Sequence, residues 1–121
     1  MRKIVIGGQI DKQEIRQLVE KYGNGKFTVE VKSDLDAAMA LKNGQVDYYI
    51  GACNTGGGGA LAMALALVGH DLCETISMPG KIKEEAEIRE CVKKGKKAFG
   101  FTSQHKEIII PILMDEISIQ N

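Results

Sequence analysis

The residues best suited to chemistry lie in one segment near the middle of the chain, residues 53–59, with the sequence Cys-Asn-Thr-Gly-Gly-Gly-Gly. Glycine has no Cβ, so the backbone N–H groups of such a turn can approach a ligand closely. Where the turn opens a helix, the same amides carry partial positive charge and favour a phosphate, carboxylate or enolate oxygen. The predicted ligand contacts in this segment are Asn54, Gly56, Gly57, Gly58 and Gly59.

Two side chains of the same segment are candidate catalytic groups. Cys53 ends the preceding strand, where a thiol near a helix N-terminus can act as a base or a nucleophile. The hydroxyl of Thr55 can donate a hydrogen bond to the same ligand oxygen. The alternative is purely structural, with glycines that let a strand and a helix pack tightly and Cys53 as a small buried side chain. The run has neither the Lys-Ser/Thr pair of a Walker motif nor the context of a dinucleotide fingerprint.

Hydrophobic periodicity predicts the elements that position this segment. Predicted strands cover residues 3–6, 27–31, 46–52, 74–78 and 98–101. A first helix follows Asp11, which forms a capping pair with Glu14. Ser33 caps a second helix, whose predicted inward side chains are Leu35, Ala38, Met39 and Leu41. Residues 60–68 form a helix buried almost all round, residues 83–94 form a fourth, and Thr102 or Ser103 caps a fifth that is kinked at Pro111.

Strands that alternate with helices through short connections imply right-handed βαβ crossovers. The predicted fold is therefore a three-layer α/β/α Rossmann-like sandwich around a five-stranded, mostly parallel sheet. No linker interrupts the pattern, so residues 1–121 form one predicted domain.

Ligands of open α/β sheets bind at the carboxyl ends of the strands. Three predicted loops lie at such ends, namely residues 7–10, 53–59 and 102–105. Gly8 and His105 therefore join the predicted ligand contacts, although a lone histidine is also typical of a surface or capping position. His70, after the third helix, is expected at the opposite edge of the sheet.

Composition limits the partners and the location. Sixteen basic residues balance sixteen acidic ones, which argues against nucleic acid as a partner and weakly favours a homo-oligomer. Cysteines at positions 53, 73 and 91 form neither a zinc pattern nor a disulfide framework, so no metal or cofactor is predicted. The N-terminal apolar run is too short for a signal peptide, and the longest apolar run, 60–68, is too short for a membrane span. A cytoplasmic protein is expected.

Three segments resemble a known family: Asp-Ala-Ala-Met-Ala at 36–40, Gly-Gln-Val-Asp-Tyr-Tyr-Ile-Gly-Ala-Cys-Asn-Thr-Gly at 44–56, and Ala-Phe-Gly at 98–100. They are similar, over nearly the whole chain, to the YhfU-like family of small bacterial proteins, a domain of unknown function. Its members are usually encoded near a predicted membrane transporter and near phosphotriesterase-like and sugar-phosphate-type enzymes. The resemblance therefore implies uptake or catabolism of a small metabolite, with a membrane transporter as a candidate partner.

A more distant resemblance is to type B ribose-5-phosphate isomerases and related galactose-6-phosphate isomerases. Residues 53–62 are similar to the segment Cys-Gly-Thr-Gly-x-Gly-x-Ser-Ile-Ala of that family, and residues 44–47 and 97–100 also fall where it has similar residues. The resemblance implies the same fold and ligand loop. It also implies that Cys53 is the base that moves a proton between adjacent sugar carbons, while Thr55 and the loop amides support the enediolate oxygen.

The chain departs from those isomerases at three places. It has Gly-Gln-Ile-Asp at 8–11 where they have an Asp-His pair, and Lys-Lys-Gly-Lys at 93–96 where they have a His-Asn pair. No arginine follows Arg89, so their phosphate-binding arginines have no counterpart. The resemblance therefore implies the architecture and an anion-accepting loop rather than isomerase activity.

Two hypotheses from different classes follow from these observations. The leading one is a domain that binds a small phosphorylated or carboxylated metabolite at residues 53–59, with an isomerase-like proton transfer through Cys53 as its finer form. The alternative is a non-catalytic cytosolic subunit or partner of a membrane transport system. A nucleotide-binding regulator would need an acidic ribose ligand, which the sequence does not identify.

Overall fold

Strands and helices alternate through the described residues, except that three short strands follow one another between residues 73 and 82. Its structure, a computed structural model, describes residues 1–54 and 57–121. The strands are β1 (Arg2–Gly8), β2 (Phe27–Val31), β3 (Tyr48–Cys53), β4 (Cys73–Thr75), β5 (Ser77–Met78), β6 (Lys81–Ile82) and β7 (Ala98–Thr102). The helices are α1 (Lys12–Gly23), α2 (Asp34–Lys42), α3 (Gly57–Val68), α4 (Glu85–Lys93) and α5 (Lys106–Gln120). Short 3₁₀ turns at His70–Leu72 and Ser103–His105 precede β4 and α5.

Five of the strands form one parallel sheet in the order β2-β1-β3-β7-β4. Strands β5 and β6 form a separate antiparallel hairpin. Helices α1, α4 and α5 pack together on one face of the sheet, and α2 and α3 pack together on the other. The predicted three-layer Rossmann-like sandwich with a five-stranded parallel sheet is therefore confirmed.

Each face of the sheet has its own hydrophobic core, because strand side chains alternate between the two faces. The larger core, under α1, α4 and α5, contains branched and aromatic strand residues such as Ile4, Ile50 and Phe99. The core under α2 and α3 contains Val5 and Tyr49, which pack against helix alanines and leucines. Strands buried on both faces account for the nearly continuous apolar runs of the sequence.

Glycines let α2 and α3 approach the sheet closely. A Cβ on Gly7 would lie 2.8 Å from the Cβ of Ala37, and one on Gly100 would lie 2.5 Å from Cγ of Leu61. Both distances are shorter than a van der Waals contact allows. The glycines on this face of the strands are therefore part of the helix packing.

This close packing overturns two predictions about which side chains point inward. Leu35 and Met39 were expected inside but are 50% and 37% exposed, and the sheet-facing positions of α2 are mainly alanines. Only a methyl group fits where the helix approaches the strand glycines. Helix α3 was expected to be buried almost all round, but Ala62, Met63 and Ala66 are exposed because no other described element covers its outer side.

Predictions about helix starts gave mixed results. Ser33 caps α2 as expected, with its Oγ accepting a hydrogen bond from the Asp36 amide at 3.1 Å. Asp11 does not cap α1 through its side chain, because it adopts a left-handed conformation with φ of 53° and its carboxylate accepts a hydrogen bond from the Ser103 hydroxyl. Neither Thr102 nor Ser103 caps α5 through its side chain.

The predicted strand 74–78 is two strands in the structure. Only Cys73–Thr75 belongs to the main sheet, paired with β7. The chain then turns at Pro79 and Gly80, so that Ser77–Met78 pairs with Lys81–Ile82 as a hairpin. The turn formed by the proline and glycine thus joins two antiparallel strands instead of ending one long strand.

Candidate functional site

The three loops singled out in the sequence lie next to one another at the carboxyl ends of their strands. They follow β1, β3 and β7, which are parallel neighbours whose register pairs Gly8 with Ala52 and Cys53 with Thr102. After β1 the chain leads to α1 on one face, and after β3 it leads to α3 on the other. This divergence makes the space between β1 and β3 a topological switch point, where open α/β sheets bind their ligands.

Part of the glycine-rich turn is defined in the structure. Asn54 is exposed directly after β3, and α3 begins at Gly57, three residues before the predicted start. Gly57, Gly58 and Gly59 therefore belong to the first turn of the helix, where amide N–H groups lack intrahelical partners. The predicted contacts Thr55 and Gly56 lie outside the described residues.

Cys53 lies at the base of this turn. Its side chain is fully buried, and a Cβ on Gly59 would lie 3.4 Å from its sulfur. The same Cβ would lie 3.5 Å from Nε2 of Gln9, which donates a hydrogen bond of 3.4 Å to the carbonyl of Gly59. The side chains of Cys53 and Gln9 therefore both lie against the first turn of α3. Sequence reasoning did not assign Gln9 to the site, although it is the first polar residue after β1.

Thr102 is a second residue that sequence reasoning placed differently, as a helix cap. It pairs with Cys53 in the sheet and therefore points to the same face. On that face, two residues earlier, Gly100 approaches Ala60 and Leu61 of α3, so the Thr102 side chain lies beneath the start of the helix. Thr102 is 1% exposed, and its Oγ1 has no hydrogen-bond partner among the residues that the structure describes.

A buried tyrosine connects the site to α2. Tyr49 Oη accepts a hydrogen bond from the Gly8 amide at 2.9 Å, lies 3.0 Å from the Ala60 carbonyl, and donates to the Asp34 carboxylate. The network thus joins the end of β1, the start of α2 and the first turn of α3. Burial, together with the Asp34 carboxylate that accepts its hydrogen bond, raises the pKa of Tyr49 far above its usual range. The phenol therefore stays protonated in neutral solution.

This network affects one predicted contact. The Gly8 amide also lies 3.2 Å from Asp34 Oδ1, so its hydrogen is already shared between two acceptors of the protein. A role of Gly8 in ligand binding stays a prediction, and the structure gives the residue a definite packing role. Gly8 has φ of +75°, and a Cβ there would lie 2.6 Å from the Ala52 nitrogen.

His105 also lies at the carboxyl ends of the strands, on the side of β7 that faces β4. Its Nδ1 lies 2.9 Å from Oγ of Ser77, and that hydroxyl accepts the Thr102 amide at 3.1 Å. Ser77 thus links His105 to Thr102, the last residue of β7, through two hydrogen bonds, while contact of His105 with a ligand stays a prediction. His70 opens the turn before β4, at the opposite edge, as expected.

The basic side chain at the start of α5 is already paired. Lys106 Nζ lies 3.6 Å from a carboxylate oxygen of Glu14 and 3.9 Å from one of Asp11. Its charge is therefore neutralised locally by α1. Helix α3 has no acidic residue in its first turn, so none of its own first-turn side chains opposes the partial positive charge of the helix N-terminus.

The fold and the turn after β3 define the class of protein, a small Rossmann-like α/β sandwich with a glycine-rich turn at its switch point. Residues 2–117 match the family described as "Protein of unknown function DUF2620", and the chain belongs to this family. It is 40% identical over 117 residues to the "Uncharacterized protein YhfU" of Escherichia coli (strain K12), covering 97% of this chain and 99% of that protein. The protein of the same name from Shigella flexneri has the same identity and coverage. No solved structure matches the chain.

These comparisons confirm the resemblance to the YhfU-like family, and the more distant resemblance to isomerases stays a prediction. Among the described residues, no helix has both the length and the apolar character that crossing a bilayer requires.

Proposed function

We propose that this protein binds a small anionic metabolite, phosphorylated or carboxylated, at the turn between β3 and α3. Amides in the first turn of α3 bind the anionic oxygen, because a helix N-terminus combines N–H donors that have no intrahelical acceptor with partial positive charge. The Thr102 hydroxyl donates to the ligand from the sheet below. Gln9, at the rim of the turn, offers its side-chain amide to polar groups of the ligand.

The observation that carries the proposal is the buried Thr102 hydroxyl. A buried hydroxyl without a partner costs about 1–3 kcal/mol, and native proteins keep few of them. This one lies beside Cys53 and beneath the start of α3. An anion at the helix start would satisfy it, which gives the otherwise unfavourable placement a function.

In the finer form of the proposal, Cys53 catalyses an isomerase-like proton transfer. As a thiolate, its sulfur accepts a proton from the hydroxyl-bearing sugar carbon next to a carbonyl, so that the C–H electrons form a C=C bond and the C=O electrons move onto the carbonyl oxygen. A proton then passes from the hydroxyl group to the former carbonyl oxygen, and the thiol returns its proton to the former carbonyl carbon. The helix amides stabilise the enediolate formed between these two steps. The contact between Cys53 and the first turn of α3 supports this assignment, because base and oxyanion donors must lie together.

The variant Thr102→Val tests the proposal, because the two side chains have nearly the same shape and differ in the hydroxyl. Without ligand, we expect the variant to be more stable than the wild type by about 1 kcal/mol or more, since an unsatisfied polar group has been removed. Ligand binding should weaken at the same time. Thr102→Ser keeps the hydroxyl and should keep binding, and Thr28→Val, at an exposed position of β2, is the matched control.

The measurement is a thermal shift with inorganic phosphate, sugar phosphates and sugar acids, with neutral sugars as controls. An anion at a hundredfold excess over its Kd stabilises the folded state by about 2.7 kcal/mol, which is roughly 10 °C for a chain of this length. Cys53→Ala should leave this shift in place and abolish turnover. The proposal is wrong if no anion raises the melting temperature, or if Thr102→Val binds as tightly as the wild type.

A further inference from the structure

The outer surface formed by α2 and α3 is apolar at its centre. We define the α2/α3 face by its exposed apolar side chains: Leu35, Met39, Ala62, Met63 and Ala66. Met63 is 42% exposed, and no charged residue occurs anywhere in α3. The two helices pack side by side on the same face of the sheet, and all of these residues lie on their exposed sides. Clustered apolar side chains of this kind mark an interaction surface.

The charges at the border of the face have a regular arrangement. Asp36 and Lys42 are both exposed, and each is three residues from Met39 along α2. Positions separated by three residues lie on the same side of a helix, so the acidic and basic groups lie on opposite sides of a central methionine. A twofold axis through Met39 would place Asp36 of one copy opposite Lys42 of another, twice.

We infer that the α2/α3 face binds a second copy of this chain, with the two α2 helices antiparallel. The apolar residues form the centre of the interface, and two symmetry-related pairs of Asp36 and Lys42 form its border. Antiparallel packing also places the oppositely charged helix ends next to each other. An isologous interface needs a self-complementary surface, and this arrangement of charges provides one.

The size of the face indicates how strong the association should be. Helices of 9 and 12 residues are about 14 and 18 Å long, and packed neighbours lie about 10 Å apart. The resulting surface is well below the roughly 800 Å² per partner of standard interfaces. We therefore expect a weak dimer that dissociates on dilution. This inference is independent of the proposed ligand site.

Sedimentation velocity over a concentration range of about 1 µM to 1 mM tests the inference. Met63→Lys should weaken association at least tenfold, because it places two ammonium groups close to the centre of the interface. Met78→Lys, at a position 48% exposed on the β5–β6 hairpin, is the matched control and should dimerise like the wild type. Melting temperatures of all variants verify that they are folded.

Charge exchange tests the antiparallel arrangement itself. Asp36→Lys and Lys42→Asp should each weaken the dimer by opposing like charges, and the double exchange should restore it. The measurements are made at low salt, where such exposed pairs are least screened. A protein that is monomeric at about 1 mM, a Met63→Lys variant that dimerises normally, or a double exchange without restoration would each overturn the inference.

Discussion

The hydroxyl of Tyr49 should contribute more to stability than any other phenol of the chain. The substitution Tyr49→Phe keeps the ring in the core and removes only the oxygen that contacts Gly8, Asp34 and Ala60. The Gly8 amide then relies on its longer contact with Asp34, and the carboxylate loses a buried donor. The variant therefore tests whether this network holds the start of α2 and α3 against the sheet.

We expect Tyr49→Phe to lower the free energy of unfolding by about 1–3 kcal/mol at pH 7, the usual cost of leaving buried polar groups without partners. For a chain of this length that corresponds to a decrease of roughly 4–12 °C in melting temperature. The matched control is Tyr48→Phe, in the next position of β3. Among the described residues, Tyr48 Oη has a single hydrogen-bond partner, the side chain of Asn121. Removal of the Tyr48 hydroxyl should lower the free energy of unfolding by much less.

The same variant makes a prediction about pH. The pKa of Tyr49 is raised in the folded protein, so its stabilising effect is complete below the ordinary value of 10.0 and decreases as pH rises above it. Above that pH the unfolded chain loses the proton and the folded chain keeps it. The wild type should therefore lose about 1.4 kcal/mol per pH unit through this group. Phenylalanine does not titrate, so the difference between wild type and variant should shrink at the same rate.

Urea denaturation followed by circular dichroism, at pH 7, 10 and 11, gives all of these quantities. The reasoning would be refuted if Tyr49→Phe cost no more than Tyr48→Phe at pH 7. It would also be refuted if the difference between wild type and Tyr49→Phe stayed constant from pH 10 to pH 11, because the hydroxyl would then ionise in the folded protein as it does in the unfolded chain.

Two further predictions concern packing and acid stability. Gly100→Ala should lower the free energy of unfolding by about 1–3 kcal/mol, because the added methyl group overpacks against Leu61. In a Leu61→Ala background, where space is available, urea denaturation should show a smaller decrease. The pKa of Glu116 is held below its ordinary 4.5 by hydrogen bonds to its carboxylate, above all the one that Gln120 donates. The ionised Glu116 therefore stabilises the fold above that pH, and this stabilisation is lost as the pH falls. The stability difference between wild type and Glu116→Gln should therefore narrow on acidification, and a constant difference would contradict this.

The layers of the fold could be predicted from the sequence, but the inward faces of the helices could not. Periodicity and turn residues give the strands and helices, and these give the parallel sheet. Hydrophobicity alone places Leu35 and Met39 inside α2, whereas the strand glycines bring the helix so close that only alanine side chains fit. This steric limit depends on Gly7, which lies in a different element and gives no periodic signal.

The position of the candidate site could be predicted from the sequence, but the roles of some of its side chains could not. Its position follows from a topological rule, and the sequence therefore predicts the turn at Cys53 correctly as a strand-to-helix connection at the carboxyl edge. The roles of Thr102 and Tyr49 depend on which side chains meet across strands and helices far apart in sequence. Tyr49 contacts an amide 41 positions away. Such contacts require the register of the sheet, which a single sequence does not supply.

The position of β7 has a consequence for synthesis. This strand lies between β3 and β4, yet it is made after both of them. Until Ala98–Thr102 leave the ribosome, β3 is an additional open edge of the partial sheet and β4 has no partner strand in it, and unpaired edges invite aggregation. We therefore expect the sheet to close only when nearly the whole chain has been translated. A premature stop before residue 98 should produce insoluble fragments.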